Sequence, residues 1–554
     1  MKKSRWNKVS ALALAALLAV SALAACSQNG GGSTGGGTAG STQAAATTAA
    51  DKKTEDAATS KEEASPSGKD EVIIITSSEP TVFICQDSTY SSAMAKDSPV
   101  IYNIYSYLLW MDEEGNCVPW LATDYEKSDD GLEYTFHLRD DVYFHNGEHM
   151  TAEDVAFTYN LCAEKNPNLT TNLLINFKEA VVVDDYTVKF VLTSPFDGFP
   201  SETTSRVGSI ICKKYYEEVG SEGYMEKPIG TGPYMFESRV SGQEIVLKAF
   251  PDYFEGEPAI KTVRIRPVAN VTTSFISLKS GDIDFINLAD IASCQQLTEN
   301  DNATYITSQS TSRSLLLYNC RDTNPELATD YNLRKAIQYG INKEEIVIGA
   351  LSGEGITIDM DAPYFFNGAP DEGSFVTIPP AGDVEKAKEY LANSNYNGAP
   401  LQLICVSGTV EERACQIIQG QLLNVGINIE IIATDTGTNV ANQKSGNYDL
   451  MLNSTTGSLC DVSTLNSFWC VQGSEGPIWP APDWENLQNI CFDANVAAGQ
   501  DRKDCMAKLA DIINEQAYDV PVYCKNSCVA FNKNLEGVKI NTNGTWRVKD
   551  WSWK

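Results

Sequence analysis

The stretch from Leu401 to Ile432 constrains the fold more than any other part of the chain. Leu401–Val406, LQLICV, is a short apolar run of the kind a buried strand uses. From about Thr409 to Val425, Cys415, Ile418, Leu422 and Val425 recur at spacings of 3, 4 and 3, which places them on one helix face. Gly426 stands where a helix C-cap is expected, and Ile427–Ile432 alternates as a second strand. Strand, helix and strand joined this tightly form a βαβ unit, which implies a parallel sheet and an α/β architecture.

Other segments extend the pattern. Glu71–Ser77, EVIIITS, reads as a buried strand that begins the globular body. Asn342 followed by Glu345 forms a capping box, and Asp383 begins a further helix with Val384, Ala387 and Leu391 as its buried stripe. A chain of 554 residues exceeds one hydrophobic core, so two or more domains are expected.

The N-terminus has a different character. Lys2, Lys3, Arg5 and Lys8 precede a small apolar run, Val9–Ala22, and then Leu23-Ala24-Ala25-Cys26. A basic start, an apolar stretch too short for a bilayer span and a small-residue cleavage site predict an export signal over residues 1–25. The last four residues resemble the bacterial lipobox, which implies that Cys26 carries acyl chains. Residues 26–70 are rich in Gly, Ser, Thr, Ala and Lys/Glu, with no aromatic residue and no Val, Ile or Leu, so they read as a disordered tether. Gly31–Gly35 spells G-x-S-x-G, but without a strand before it or a helix after it the match is chance.

With 42 basic against 73 acidic side chains, the net charge of −31 argues against nucleic acid as a partner. The fifteen cysteines are scattered and show no zinc spacing. An exported chain invites disulfides, but a domain this large does not need them, and between the two readings those after Cys26 are expected to be free buried thiols.

All three histidines, His137, His145 and His149, fall within one short window. Histidine serves as metal ligand and as acid/base, so the window invites a catalytic or metal reading. The pattern around it argues otherwise. Tyr134, Phe136 and Leu138 alternate with polar residues as a half-buried strand, and Val142–Phe144 reads as a second short strand. Asn146-Gly147 marks a turn, and Thr151 with Asp154 resembles a capping box that opens a helix with Val155, Thr158, Tyr159 and Cys162 on one face. The turn keeps His145 and His149 off a common helix face, so no metal site is expected.

Residues Trp120–Tyr159, WLATDYEKSDDGLEYTFHLRDDVYFHNGEHMTAEDVAFTY, closely resemble the signature of bacterial extracellular solute-binding proteins of family 5. These are the peptide- and nickel-binding components of ABC importers. Pro228–Glu237, PIGTGPYMFE, is similar to the family's P-x-G-T-G-P-Y segment. Pro251–Arg266, Leu278–Phe285 and Asn332–Val347 resemble further blocks in the expected order. The resemblance implies a two-lobed periplasmic-binding-protein-like fold of class II, large cluster C type, with two crossing hinge strands near Ser314–Asn319 and Val520–Cys528. One lobe would comprise residues 71–307 with 529–554, the other residues 308–528.

The implied function is capture of a di- or oligopeptide between the lobes and delivery to an ABC permease and ATPase. The protein would be a lipid-anchored monomer on the extracytoplasmic face of the cell membrane, without cofactor, metal or enzymatic activity. Alternatives are an oligosaccharide-binding member, a ligand sensor or surface lipoprotein, and a hydrolase on this scaffold. Asp87, Ser88, Thr89 and Tyr90 follow the first strand, where family members touch ligand. The family's W-x-x-D-x-x-D/E-P segment, whose first Asp pairs with the peptide ammonium, corresponds to Met451–Trp469. Here the tryptophan is missing and Ser458 takes the place of that Asp; a shift of a few residues would give the role to Asp461. Tyr364, Phe365, Phe468 and Trp469 are candidate stacking platforms.

Overall fold

The computed structural model describes residues 69–81, 83–84, 94–165, 174–320, 325–456, 459–469 and 481–554. The expected export signal, the lipidation site Cys26 and the tether up to residue 68 lie outside them, as do Asp87, Ser88, Thr89, Tyr90 and Ser458.

The βαβ unit is present. Leu401–Val406 pairs in parallel with Ile429–Thr434, and the helix Val410–Val425 buries Cys415, Ile418, Leu422 and Val425 against them. The second strand begins two residues later than expected, for a local reason. Gly426 takes φ +107°, and the N–H groups of Gly426 and Ile427 both donate to Leu422 O, so Ile427 is held in the helix cap. These strands belong to a six-stranded sheet whose order is Gly355–Thr357, Asp519–Lys525, Ser312–Tyr318, Leu450–Thr456, Leu401–Val406, Ile429–Thr434. Ser312–Tyr318 is central and buried throughout, which is why its sequence reads SRSLLLY without a solvent-facing alternation.

Both N-caps form, but the capping box at Asn342 closes only on one side, because Asn342 N donates to Gln421 Oε1 at 3.2 Å and not to Glu345. Asn342 accepts from Glu345 N at 3.1 Å and Asp383 accepts from Lys386 N at 3.0 Å. Within the second helix Ala387 is fully buried, but Val384 is exposed, because it sits in the first turn at the edge of the stripe.

A second, seven-stranded sheet has the order Ala303–Ser308, Ser527–Asn532, Phe285–Ile286, Glu71–Thr76, Thr262–Pro267, Glu244–Ala249, Tyr234–Val240. The chain passes between the two sheets at residues 309–311 and again at Asn526. A four-stranded antiparallel sheet, ordered Ala122–Lys127, Glu133–Leu138, Thr187–Leu192, Phe177–Asp184, packs onto the same core as the seven-stranded one.

The histidine window lies here. Tyr134, Phe136 and Leu138 are buried, Gly147 takes φ +84°, and the helix Ala152–Lys165 follows. Its start is closed by Thr151 N donating to Asp154 Oδ2 at 3.0 Å and Glu153 N donating to Thr151 Oγ1. The short strand expected at Val142–Phe144 is only a single bridge, Tyr143 to His149, because the Asn146-Gly147 turn closes the ladder after one pair.

The PIGTGPY segment explains itself in this packing. A Cβ on Gly230 would lie 2.1 Å from Ile104 O, and one on Gly232 would lie 2.5 Å from Ile104 C. Gly232 N instead donates to Ile104 O at 2.8 Å, so the bare backbone of this loop clamps the end of the helix Met94–Ile104.

Candidate functional site

The helix that Gly230 and Gly232 clamp forms one wall of a cavity of about 590 Å³ between the two large sheets. Ser98, Ile101 and Tyr102 face it from that helix, and Arg206 reaches it from a single 3-10 turn, Arg206–Gly208. The loop Asn287–Ala292 completes this side. Ala350–Ser352 and Gly408–Glu411, at the start of the helix Val410–Val425, supply the opposite wall. Ser310, Ser312 and Lys525–Cys528, where the chain crosses between sheets, form the floor.

The charges within it are placed, not scattered. Lys525 Nζ lies 3.1 Å from Glu411 Oε1. Burial is the largest single effect and raises the Glu411 carboxyl, but the Lys525 ammonium together with hydrogen bonds from the Glu411 backbone and Thr409 outweighs it, so the net shift is downward and Glu411 stays ionised. Arg413 Nη2 donates to Ala350 O at 3.2 Å and ties this wall to the end of the helix Lys343–Leu351. Asp290 accepts from Ser293 N and Oγ at 2.9 and 2.8 Å, which shapes the loop carrying Leu288.

Leu288 and Ser352, on opposite walls, both take φ +56°. They are two of the four non-glycine residues with positive φ among the described residues. Ser352 takes this conformation as the left-handed C-cap of the helix Lys343–Leu351, whereas for the bulkier Leu288 it costs about 1–3 kcal/mol. Leu288 is half exposed and adds an apolar contact to a wall that also carries Ile101 and Ile291.

Of the sequence-expected site residues, Tyr364, Phe365, Asp461 and Trp469 have described side chains, and none of the four lines this cavity. Tyr364 and Phe365 line a separate cavity of about 160 Å³ with Gln309 and residues 356–360. Tyr364 packs on Phe375 at 6.0 Å, and Phe365 meets Phe366 edge-on. Trp469 is buried, its Nε1 donating to Asp361 Oδ2 at 2.8 Å. Phe468 belongs to the short helix Asn466–Trp469, and its side chain is outside the described set.

Asp461 is fully buried. Its Oδ1 accepts from Arg502 Nη2 at 2.6 Å and from Ser463 N at 2.8 Å; its Oδ2 accepts from Asn367 Nδ2 at 2.7 Å and Arg502 Nη1 at 3.1 Å. The Phe196 ring lies 5.7 Å from the Arg502 guanidinium, and a Cβ on Gly198 would be 3.0 Å from Asp461 Oδ2. The carboxylate is therefore sealed by an ion pair, at a point where the two sides of the molecule touch away from the cavity.

The histidines are each satisfied separately. His145 Nδ1 accepts from Gly230 N and its Nε2 donates to Gly232 O at 2.9 Å, which defines a neutral tautomer. Burial pushes its pKa down to about 4, against the smaller opposing effect of the Gly232 carbonyl. His137 bonds Asp124, and His149 bonds Asp140 O at 2.9 Å. Among the described residues no group of three or more His, Cys, Asp or Glu could hold a metal ion. No described helix is long and apolar enough to cross a membrane.

Sequence reasoning missed Arg206, Leu288, Glu411 and Lys525. The available signals were weak: an arginine closing a Thr/Ser run, and a glutamate in the first turn of the helix that follows Gly408.

The profile of the bacterial extracellular solute-binding proteins, family 5 Middle, matches residues 116–476. The oligopeptide-binding protein AppA of Bacillus subtilis is 25% identical over 502 residues, covering 85% of this chain and 89% of AppA. The glutathione-binding protein GsiB of Salmonella typhi is 26% identical over 503 residues, with 85% and 92% covered. Among solved structures, the ABC transporter substrate-binding protein CtaP of Listeria monocytogenes superposes with a TM-score of 0.75 at 21% identity, covering 88% of this chain and 99% of CtaP. AppA in complex with a nonapeptide gives 0.69 at 22%, covering 88% and 100%. NikZ of Campylobacter jejuni in complex with Ni(L-His) gives 0.73 at 22%, covering 87% and 99%. The shared fold is the two-lobed one, and it holds different ligands in different relatives.

Proposed function

The chain belongs to the bacterial extracellular solute-binding proteins of family 5, and from that premise we propose that it captures a di- or oligopeptide and delivers it to an ABC importer. Residues 71–307 with 529–554 form one lobe and residues 308–528 the other. The ligand stabilises the closed arrangement because only there do both walls touch it. The permease, with its ATPase, reads that state. Cys26 carries the lipid anchor, the tether holds the monomeric domain beside the permease, and nucleic acid is no partner.

One observation carries the peptide reading: the cavity between the two walls. Its volume falls within the range of ligand sites, and it combines apolar contacts with a few placed charges. Arg206 on one side and the Lys525–Glu411 pair on the other present both signs of charge to a zwitterion. The peptide- and glutathione-binding relatives support the same ligand class.

A thermal-shift screen of the mature chain against di- to hexapeptides and neutral oligosaccharides tests it. A ligand at 100 times its Kd stabilises by about 2.7 kcal/mol, which a melting curve resolves. Peptide hits are expected. Oligosaccharide hits with no peptide hit would overturn the proposal.

A further inference from the structure

Twelve of the fifteen cysteines are described, all as thiols, and two of them meet at the floor of the cavity. Cys294 Sγ and Cys528 Sγ are 3.4 Å apart, 234 residues distant in sequence, and both are buried. A disulfide bond measures about 2.05 Å, so closing the pair needs a movement of about 1.4 Å, within reach of side-chain rotation.

Their setting gives the contact a consequence. Cys528 lies on the strand Ser527–Asn532 and is itself part of the cavity lining. Cys294 ends the short helix Ile291–Cys294, whose cap Asp290 and first residue Ile291 line the same cavity. The loop between them already touches the strand once, where Ala289 N donates to Cys528 O at 2.8 Å. A bond between the two sulfurs would staple the strained Leu288 wall to the crossing strand.

We propose that Cys294 and Cys528 form a reversible disulfide by exchange with a low-molecular-weight disulfide, RSSR, that enters through the ligand cavity. The Cys528 thiolate attacks one sulfur of RSSR, forming a mixed disulfide and releasing RS−. The Cys294 thiolate then attacks the Cys528 sulfur and releases the second RS−. Two electrons pass from the protein to RSSR, and the two protons leave with two RSH. The contact with Cys294, and after it burial, hold the Cys528 thiol high, so the exchange is slow at neutral pH. The disulfide fixes one wall of the cavity, and reduction frees it.

The test uses the mature chain and bis(2-hydroxyethyl) disulfide, which is not a peptide and is removed by desalting before melting, alkylation, digestion and peptide mass mapping. A Cys294–Cys528 linked peptide is expected, lost on reduction, together with a rise of several degrees in the melting midpoint. Cys294→Ser should lose both the link and the rise while melting at the midpoint of the reduced wild type. Recovery of both residues in alkylated form after oxidation would overturn the proposal, as would a lasting 2-hydroxyethylthio adduct on Cys528 or a link from Cys528 to another cysteine. If the serine variant fails to fold, the wild-type peptide map alone decides. Because no transport ligand is involved, failure here leaves the peptide reading untouched.

Discussion

Arg502→Met isolates the ion pair that seals Asp461. Both side chains are essentially without solvent contact, at 1% and 0% exposure. With charge centres about 4 Å apart, an effective dielectric of 20 gives an attraction of about 4 kcal/mol. Removing the guanidinium leaves the carboxylate with Asn367 Nδ2 and Ser463 N, two bonds instead of four. Breaking a buried pair from one side costs about 3–5 kcal/mol, because the remaining charge has no solvent to return to. Arg502→Met should therefore lose about 3–5 kcal/mol in urea unfolding followed by circular dichroism. The double variant Asp461→Asn/Arg502→Met should lose much less than the two single losses added together. If Arg502→Met costs less than about 1 kcal/mol, the level of a surface pair, then the pair is solvated and the seal against Phe196 is wrong.

Further outcomes follow from the same packing. Gly230→Ala forces a methyl onto Ile104 O, so it should lower both the melting midpoint and peptide affinity by displacing the Met94–Ile104 helix; unchanged values would show the clamp to be loose. His145 has a folded pKa depressed to about 4 from an ordinary value near 6.5, so the stability it contributes is present above that ordinary value and is lost as pH falls toward 4. His145→Gln should flatten that segment of the stability–pH curve, and an unaltered curve would contradict the assignment. Leu288→Gly should relieve about 1 kcal/mol or more of backbone strain while weakening peptide binding, read by calorimetry; tighter binding would refute the role given to its side chain.

Much of the architecture was legible because its causes are local. The 3-4-3 spacing of Cys415, Ile418, Leu422 and Val425 and the cap at Gly426 are written within the helix they define. The histidine window likewise contains its own strand, turn and cap. The glycines of PIGTGPY were recognisable as a motif, but the Ile104 carbonyl that excludes a side chain lies more than 120 residues away. The same separation hid the fate of the candidate site. Asp461 meets Arg502 across 41 residues and Trp469 meets Asp361 across 108, pairings that no periodicity announces. The cavity walls are harder still, since Arg206, Leu288, Glu411 and Lys525 converge only through the two crossings between the sheets.

Transport by this chain requires that a peptide draw the two lobes together around the cavity. Small-angle X-ray scattering during a peptide titration of the mature chain tests it directly, with calorimetry on the same samples. A saturable heat and a contraction of the radius of gyration that tracks occupancy are expected. Binding without contraction, or a contraction driven by a neutral oligosaccharide and by no peptide, would contradict it.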